Sequence, residues 1–265
     1  MISLMVSEFR REIRIWWSYR LNAVLEIIIY ALAISVLMVI FRGMAESNGA
    51  TYDIHEQTAS IIGVLVWHLC MRTMVQFSNA ITEEAETGTL ETVIVTAVSP
   101  VSVLAARGVA MSTVRGAQTI MMGAAFVFLL QLRFQFSLLA IAVILVTLAG
   151  TFGLGIAFAG FTLIHKQANS VANLVATLSI FAAGVLVPIN SLNLVFTILK
   201  LALPITWGID LLRNLLIPGQ TVSIESLIGD LVGLTTQSII LIVIGIAVFN
   251  LGLRRARREA TLATY

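Results

Sequence analysis

Six long apolar segments constrain this chain more than any other feature of its sequence. Each has roughly 20 residues, the length of an α-helix that crosses the hydrocarbon core of a bilayer. They are Leu21–Phe41, Ala59–Ala80, Gly108–Leu130, Leu138–Ile164, Ser170–Pro188 and Ile228–Leu251. Only 11% of the residues are charged, whereas soluble domains have about 25%. The sequence therefore predicts an all-α, polytopic membrane protein with six transmembrane helices in a single transmembrane domain over residues 1–265.

Basic residues are distributed unevenly between the loops that join these segments. If the N-terminus is cytoplasmic and the chain crosses six times, ten of its sixteen Lys and Arg residues lie inside and four lie outside. The inner ones are Arg10, Arg11, Arg14, Arg20, Arg107, Lys166, Arg254, Arg255, Arg257 and Arg258. Because cytoplasmic loops carry an excess of Lys and Arg, we expect both termini in the cytoplasm.

Residues 2–20 precede the first apolar segment and have an amphipathic pattern. Apolar side chains, Trp16 and Trp17 among them, share one helical face, and the opposite face carries several Arg residues together with Glu8 and Glu12. Tryptophan at the apolar edge and arginine on the wet side are typical of a helix in the membrane interface. We therefore predict an N-terminal interfacial helix with its charged, arginine-bearing face in water. The alternative is a flanking segment whose arginine residues only set the topology.

Residues 189–218 are apolar but do not fit a full crossing. They contain Pro204, Lys200, Asp210 and Arg213, and they are too few for two passes through a bilayer. One additional pass would place the basic C-terminal cluster outside, against the charge distribution. We interpret this region as outer re-entrant half-helices broken at Pro204.

Residues 81–107 form the longest stretch that is clearly not membrane-spanning and lies between two apolar segments. The stretch begins with three acidic residues and is broken at Gly88-Thr89. The apolar residues that follow recur at the spacing of one helical face. They are Leu90, Val93, Ile94, Ala97 and Val98. Pro100 then stops this helix or marks a bend. An amphipathic helix between two spans can lie at the membrane surface and contact a soluble partner.

A polar stripe runs along the second apolar segment. Its spacings of three and four residues place all its members on one helical face. They are His68, Arg72, Gln76, Asn79 and Glu83. One hypothesis is a wet groove or subunit interface, because a charge within a span requires a partner or water. The other is a structural role, with Arg72 bonded to a carbonyl or carboxylate of a neighbouring helix and His68 neutral and satisfied by hydrogen bonds.

Other embedded residues suggest contacts between helices. The fourth segment is rich in small residues, which allow helix backbones to approach closely. They include Gly150, Gly153, Gly155 and Gly160. Other segments contain the polar residues Glu26, Arg115, Gln118 and Asp230. A further polar pair at i, i+4 is Asn169 and Asn173. A contact between Arg115 and Glu83 or Glu84 is one arrangement that would neutralise charge.

Motifs that would indicate catalysis do not occur in the sequence. Neither lysine has the glycine-rich frame of a P-loop, and there is no zincin motif or serine-nucleophile elbow. Cys70 is the single cysteine, and His, Cys and carboxylate residues do not cluster at metal-ligand spacing. We therefore expect no enzymatic activity, metal or cofactor in this chain.

The linker and the order of the spans resemble the type-2 ATP-binding cassette permease family, the membrane subunits of bacterial and archaeal exporters. The match rests on the run Glu84-Ala85-Glu86-Thr87-Gly88-Thr89-Leu90-Glu91, followed by Pro100, between the second and third of six spans. A weaker match is Leu203-Pro204 followed by Trp207 to Arg213 before the last span. The resemblance covers nearly the whole chain.

The resemblance implies roles that residue spacing alone does not give. Residues 2–20 would be a connecting helix, and residues 81–107 would carry a cytoplasmic coupling helix that docks onto a separate P-loop ATPase. The implied coupling residues are Glu83, Glu84, Glu86, Gly88, Thr89, Leu90, Glu91 and Pro100. Two permeases would pair in the cell (inner) membrane as a homo- or heterodimer, with the second and fifth spans along the path. The path residues would be His68, Arg72, Gln76, Asn79 and Asn173.

On this resemblance we predict the permease subunit of an exporter for a small amphiphile, drug or lipid-like substrate. ATP and Mg would bind to the partner ATPase, and no nucleic acid is expected as a partner. The alternative is a stand-alone transporter or channel driven by an ion gradient. Its embedded ionisable candidates are Glu26, His68 and Asp230, which fall at different depths and form no obvious shared site.

Overall fold

A computed structural model describes residues 2–47, 54–89, 99–132, 134–135, 137–165, 168–182, 202–219 and 223–258. Regular structure in these ranges is helical, without a strand, which confirms the predicted all-α class. The helices are α1 (Ile2–Ser18), α2 (Arg20–Ser47), α3 (Ile54–Glu86), α4 (Pro100–Leu130), α5 (Leu138–Thr162), α6 (Ala168–Ala182), α7 (Pro204–Leu216) and α8 (Ile224–Arg258). Among the described residues, five helices (α2, α3, α4, α5 and α8) are long and apolar enough to cross a membrane.

Three predicted elements fall partly or wholly outside the described ranges. The predicted fifth span, Ser170–Pro188, is described only as the 15-residue helix α6. Of the predicted re-entrant pair, only the second half is described, as α7. The predicted amphipathic helix over residues 90–98 lies outside the described residues. Pro204 and Pro100 each begin a helix, where the missing N–H of proline leaves no hydrogen bond unmade.

Helix α3 is the central element of the bundle and packs against α4, α5, α6 and α7. Near one end, Phe77 and Ile81 share a buried cluster with residues of α4, α5 and α8. Near the other end, Ile62 packs with residues of α5, α7 and α8. Helix α2 contrasts with it, because most of its large apolar side chains, such as Ile29 and Val39, are exposed. The predicted first span thus forms the periphery of the chain.

Helices α5 and α8 pack closely because glycine residues meet along their contact. A Cβ atom added to Gly245 would lie 2.2 Å from the carbonyl oxygen of Gly153, and one added to Gly252 would lie 2.2 Å from that of Gly160. The close approach expected from the small residues of the fourth span is therefore observed. Gly155 has a different neighbour, since its added Cβ would lie 2.5 Å from the Phe77 ring of α3.

One end of the bundle gathers the charged termini of several helices. Glu8 of α1 contacts Arg107 of α4, and Ala85 near the end of α3 packs with Leu104 of α4 and Ala256 of α8. We call this end the α1 end. It also carries the basic residues of α1 and the basic last turn of α8.

Candidate functional site

A glycine in a left-handed conformation ends α3 at the α1 end. Gly88 has φ of 70°. Its N–H donates to the carbonyl of Ala85 (3.2 Å), and the N–H of Thr89 donates to the carbonyl of Glu84 (3.0 Å). These two bonds form a Schellman motif, which satisfies carbonyl groups at the end of a helix. The Gly-Thr pair of the sequence motif therefore fixes where the chain leaves α3 for the linker.

Replacing Gly88 with alanine is expected to destabilise this exit without a steric clash. No atom lies within 4 Å of an added Cβ, so the expected cost of about 1 kcal/mol comes from the left-handed backbone alone. Gly88→Asn is the matched variant, because asparagine tolerates this conformation better. Melting temperatures of the purified variants test this, and equal losses for both variants would contradict a backbone origin.

A set of charged and hydroxyl groups joins the end of α3 to α1 and α4. Arg107 donates from Nη2 to Glu84 Oε1 (2.8 Å) and from Nε to Glu8 Oε2 (3.4 Å). The hydroxyl of Thr89 donates to the carboxylate of Glu84 and lies 2.9 Å from that of Thr87. We call Glu8, Glu84, Thr89 and Arg107 the Arg107 clasp. Because the Arg107 side chain is only 8% exposed, its ion pairs are weakly screened by solvent.

Helix α1 is amphipathic as predicted, but its acidic residues do not face water. Glu12 is 7% exposed, while Ile13 and Trp17 are 45% and 64% exposed. The expectation that the charged face of this helix is uniformly wet was therefore wrong for Glu12. Arg107 explains the orientation, because it attracts Glu8 towards α4 and Glu12 lies one helical turn from Glu8. Burial raises the pKa of the Glu12 carboxyl above its ordinary value, although nearby guanidinium groups oppose this shift.

A polar cavity of about 450 Å³ opens beside the Arg107 clasp, between α1, α3, α4 and the start of α6. We call it the α1-end cavity. It is lined by polar and charged side chains from α1, from α4 and from the half of the polar stripe nearest the α1 end. They include Glu12, Gln76, Asn79, Glu83, Glu86 and Arg115. Asn169 of α6 completes the wall.

A second charged cluster links α2, α3 and α4 within the predicted spans. The Glu26 carboxylate accepts hydrogen bonds from Arg72 and from Nη1 of Arg115, the latter at 2.9 Å. Arg115 also donates to Gln118 (2.9 Å), and the Arg72 guanidinium carbon lies 5.4 Å from the centre of the Tyr30 ring. We call Glu26, Arg72 and Arg115 the Glu26 cluster. The sequence suggested a contact between Arg115 and Glu83 or Glu84, and this contact is not observed in the described part of the chain. Arg115 instead pairs with Glu26, and Glu84 pairs with Arg107.

The polar stripe of α3 thus divides among different surroundings. His68 is buried, and its ring centre lies 4.4 Å from that of Tyr30. Its two ring nitrogens have no hydrogen-bond partner among the described residues, so the expectation that His68 is satisfied was wrong. Arg72 has a carboxylate partner on a neighbouring helix, which is the structural arrangement considered for it. Gln76 and Asn79 line the α1-end cavity, as the wet-groove hypothesis requires of that part of the stripe. Asn173 of α6 is exposed and donates to the carbonyl of Asn169 (2.9 Å).

The predicted coupling residues also have different placements. Glu83 and Glu86 are exposed in the last turn of α3, while Leu90 and Glu91 lie outside the described residues. Pro100 begins α4, and the helix that it was predicted to end lies outside the described residues. Arg107 and Glu12 were not recognised as site residues from the sequence. A signal existed, because Glu8 and Glu12 are four residues apart in an arginine-rich helix and therefore share one face.

Comparison with known proteins gives one family match. The model of the family described as ABC-2 type transporter matches residues 2–217, which includes α1, the Arg107 clasp and the α1-end cavity. Comparison with curated protein sequences gave no significant match. The matched range covers most of the chain and contains both segments on which the resemblance was based.

Proposed function

The chain belongs to the ABC-2 type transporter family of membrane permeases, and on that premise we propose that it is the permease subunit of an exporter. Its substrate would be a small amphiphile, drug or lipid-like molecule moved out of the cytoplasm. A separate P-loop ATPase would supply the energy and bind ATP and Mg, so this chain needs no cofactor of its own. Two permease copies, identical or related, would form the complex in the cell membrane.

The proposed topology has six crossings with both termini in the cytoplasm. The α1 end then faces the cytoplasm, since it gathers the basic residues of α1 and of the last turn of α8. Helix α6 would belong to the fifth crossing, which the sequence predicts over Ser170–Pro188. Helix α7 lies at the opposite end as an outer half-helix, where Arg213 donates to the carbonyl of Ala59 at the start of α3 (2.9 Å).

The continuity of α3 carries this proposal. One unbroken helix runs from Ile54 to Glu86 and includes the Gln76 and Asn79 wall of the α1-end cavity and the Glu84 carboxylate of the Arg107 clasp. A force on the linker that follows Gly88 reaches Glu84 first and is transmitted along the rigid helix. The residues at which an ATPase would act and those that would contact a substrate are therefore parts of one element.

The proposed mechanism couples ATP binding on the ATPase to substrate binding in the cavity through a conformational equilibrium. Closure of the ATPase dimer on ATP would draw the docked linkers together and tilt α3 and α4, which the Arg107 clasp holds to α1. The cavity would then open outwards and lose affinity for its ligand. Coupling of this kind depends on each ligand binding the two conformations with different affinity.

The ion-gradient alternative has weaker support from the embedded ionisable groups. Its three candidates are separate, because Glu26 is held between two guanidinium groups and His68 packs on Tyr30. Asp230 lies on α8, near the end opposite the basic last turn. A carboxylate already bonded to two arginine residues offers little capacity for a transported ion.

Replacing Glu84 with alanine is expected to uncouple the permease from its ATPase. The variant lacks the charge-assisted bonds from Arg107 and Thr89, each worth about 1.5–3 kcal/mol. We therefore expect at least about a tenfold loss of ATP-driven transport, the equivalent of losing one such bond. The measurement is co-purification of the tagged permease with the P-loop ATPase encoded nearest to it, followed by transport and ATPase assays of the complex.

Glu56→Ala is the matched control, since Glu56 is an exposed carboxylate at the opposite end of the same helix. It should leave both retention of the ATPase and transport unchanged. The combined variant Glu84→Ala/Glu91→Ala extends the test into the linker. The exporter proposal fails if the permease never retains an ATPase and the combined variant transports as well as the parent protein.

A further inference from the structure

We propose that the α1-end cavity binds a positively charged group with N–H donors, such as the ammonium group of a cationic amphiphile. This inference rests on the proposed function, because such a molecule would be the exported substrate. It narrows the substrate class from amphiphiles in general to those with a cationic head.

Two buried oxygen atoms of residues that line the cavity have no hydrogen-bond donor among the described residues. They are Oε1 of Glu12 and Oε1 of Gln76. Glu12 is only 7% exposed, so water has little access to its carboxylate. A buried carboxylate oxygen without a donor costs free energy. A ligand that brings N–H donors would satisfy these acceptors once the two side chains turn towards the cavity.

The charges around the cavity favour a cation over an anion. Glu83 and Glu86 line it and form no ion pair within the described chain. The guanidinium groups that line it form ion pairs with other carboxylates, since Arg11 lies 3.4 Å from Glu8 and Arg115 lies 2.9 Å from Glu26, and they act on Glu12 only at longer range. Across the cavity and the two adjoining clusters, six carboxylates face four guanidinium groups. The six are Glu8, Glu12, Glu26, Glu83, Glu84 and Glu86.

The cavity suits an organic cation better than a metal ion. No group of three or more His, Cys, Asp or Glu side chains in the described part of the chain is close enough to hold a metal. Ile15, Ala80 and Met111 contribute apolar surface beside the acidic residues. A volume of about 450 Å³ lies within the usual range for small-molecule sites. An ammonium head with an attached apolar body matches both parts of this lining.

If Glu12 is retained for a ligand, its carboxylate should cost stability in the empty protein. Because burial raises the pKa of Glu12 above its ordinary value of 4.5, the ionised group destabilises the folded state as pH rises above that value. Glu12→Gln should therefore raise the melting temperature by roughly 2–4 °C at pH 7.5. The gain should vanish below pH 4.5, where the carboxyl is protonated in folded and unfolded protein alike. A lower melting temperature at pH 7.5 would mean that Glu12 already has a stabilising partner, which overturns the inference.

Binding of ethidium, a fluorescent cation with N–H donors, tests the site directly. The full-length permease without ATPase, in nanodiscs of zwitterionic lipid, is titrated with ethidium while fluorescence anisotropy is recorded against empty nanodiscs. We expect Glu12→Gln to weaken binding about tenfold, the effect of one charge-assisted bond. Glu83→Gln, an exposed change that should not affect folding, is expected to weaken it less. Glu56→Gln is the control and should bind as the parent does.

The same titration with the anionic dye anilinonaphthalene sulfonate gives the opposite arm of the test. The inference predicts weaker binding of this dye than of ethidium and no loss in Glu12→Gln. Equal ethidium affinity in the parent, Glu12→Gln and Glu83→Gln proteins would overturn it, as would a preference for the anion. Because the assay contains no ATPase, such a failure leaves the exporter proposal standing. That proposal is tested separately, by ATPase co-purification together with transport by the combined variant Glu84→Ala/Glu91→Ala.

Discussion

Replacing Glu26 with glutamine is expected to destabilise the folded permease by about 3 kcal/mol, the cost of an uncompensated charge within a span. Glutamine keeps the shape of the side chain but carries no charge. Arg72 and Arg115 would then share a site between α2, α3 and α4 without their common carboxylate. The expected result is a large fall in the yield of monodisperse protein after detergent extraction and in its melting temperature.

A double variant separates loss of charge balance from loss of packing. Glu26→Gln/Arg72→Gln leaves one guanidinium group where the single variant leaves two, so part of the lost stability should return. Glu225→Gln, at an exposed carboxylate in the first turn of α8, should have no effect. If the single variant is as stable as the parent protein, water rather than Glu26 stabilises the charges of the two arginine residues.

Adding one methyl group at Gly245 is expected to force α5 and α8 apart. The new Cβ would lie 2.2 Å from the carbonyl oxygen of Gly153, and a backbone atom cannot move aside as a flexible side chain can. We expect Gly245→Ala to cost about 3 kcal/mol, the upper part of the range for overpacked cores. Thermal unfolding of the purified variant measures this loss.

Gly229→Ala on the same helix is the matched control. No atom lies within 4 Å of an added Cβ there, and alanine favours a helix over glycine by about 1 kcal/mol. This variant should be as stable as the parent or slightly more stable. Equal behaviour of the two variants would contradict close backbone packing between α5 and α8.

Those features of the fold that depend on local sequence were predictable. Apolar length identified the spans that α2, α3, α4, α5 and α8 now represent, because a bilayer requires about 20 apolar residues per crossing. Helical periodicity gave the amphipathic α1, and the glycine-rich fourth span gave a close helix contact. Gly88 was recognisable as a break in the chain, since left-handed helix ends favour glycine.

The partners of the charged residues were not predictable in the same way. The sequence placed Arg72 and Arg115 in spans, but it left open whether carbonyls, carboxylates or water satisfied them. It also left open which glutamate residue would pair with each arginine. Arg107 was used only as evidence for membrane orientation. Pairing across helices depends on the rotation and depth of each helix, and these are set by packing with the whole bundle.

Residue chemistry and spacing by themselves determined that this is a helical membrane protein with an acidic, glycine-broken linker between two spans. Both properties follow from local physics, namely the length of apolar segments and the backbone freedom of glycine. Only the tertiary structure decided that Glu26 joins two arginine residues, that Arg107 holds α1 to α3, and that Glu12 is buried beside a polar cavity. These contacts join residues far apart in the chain, so their geometry depends on how the helices pack together.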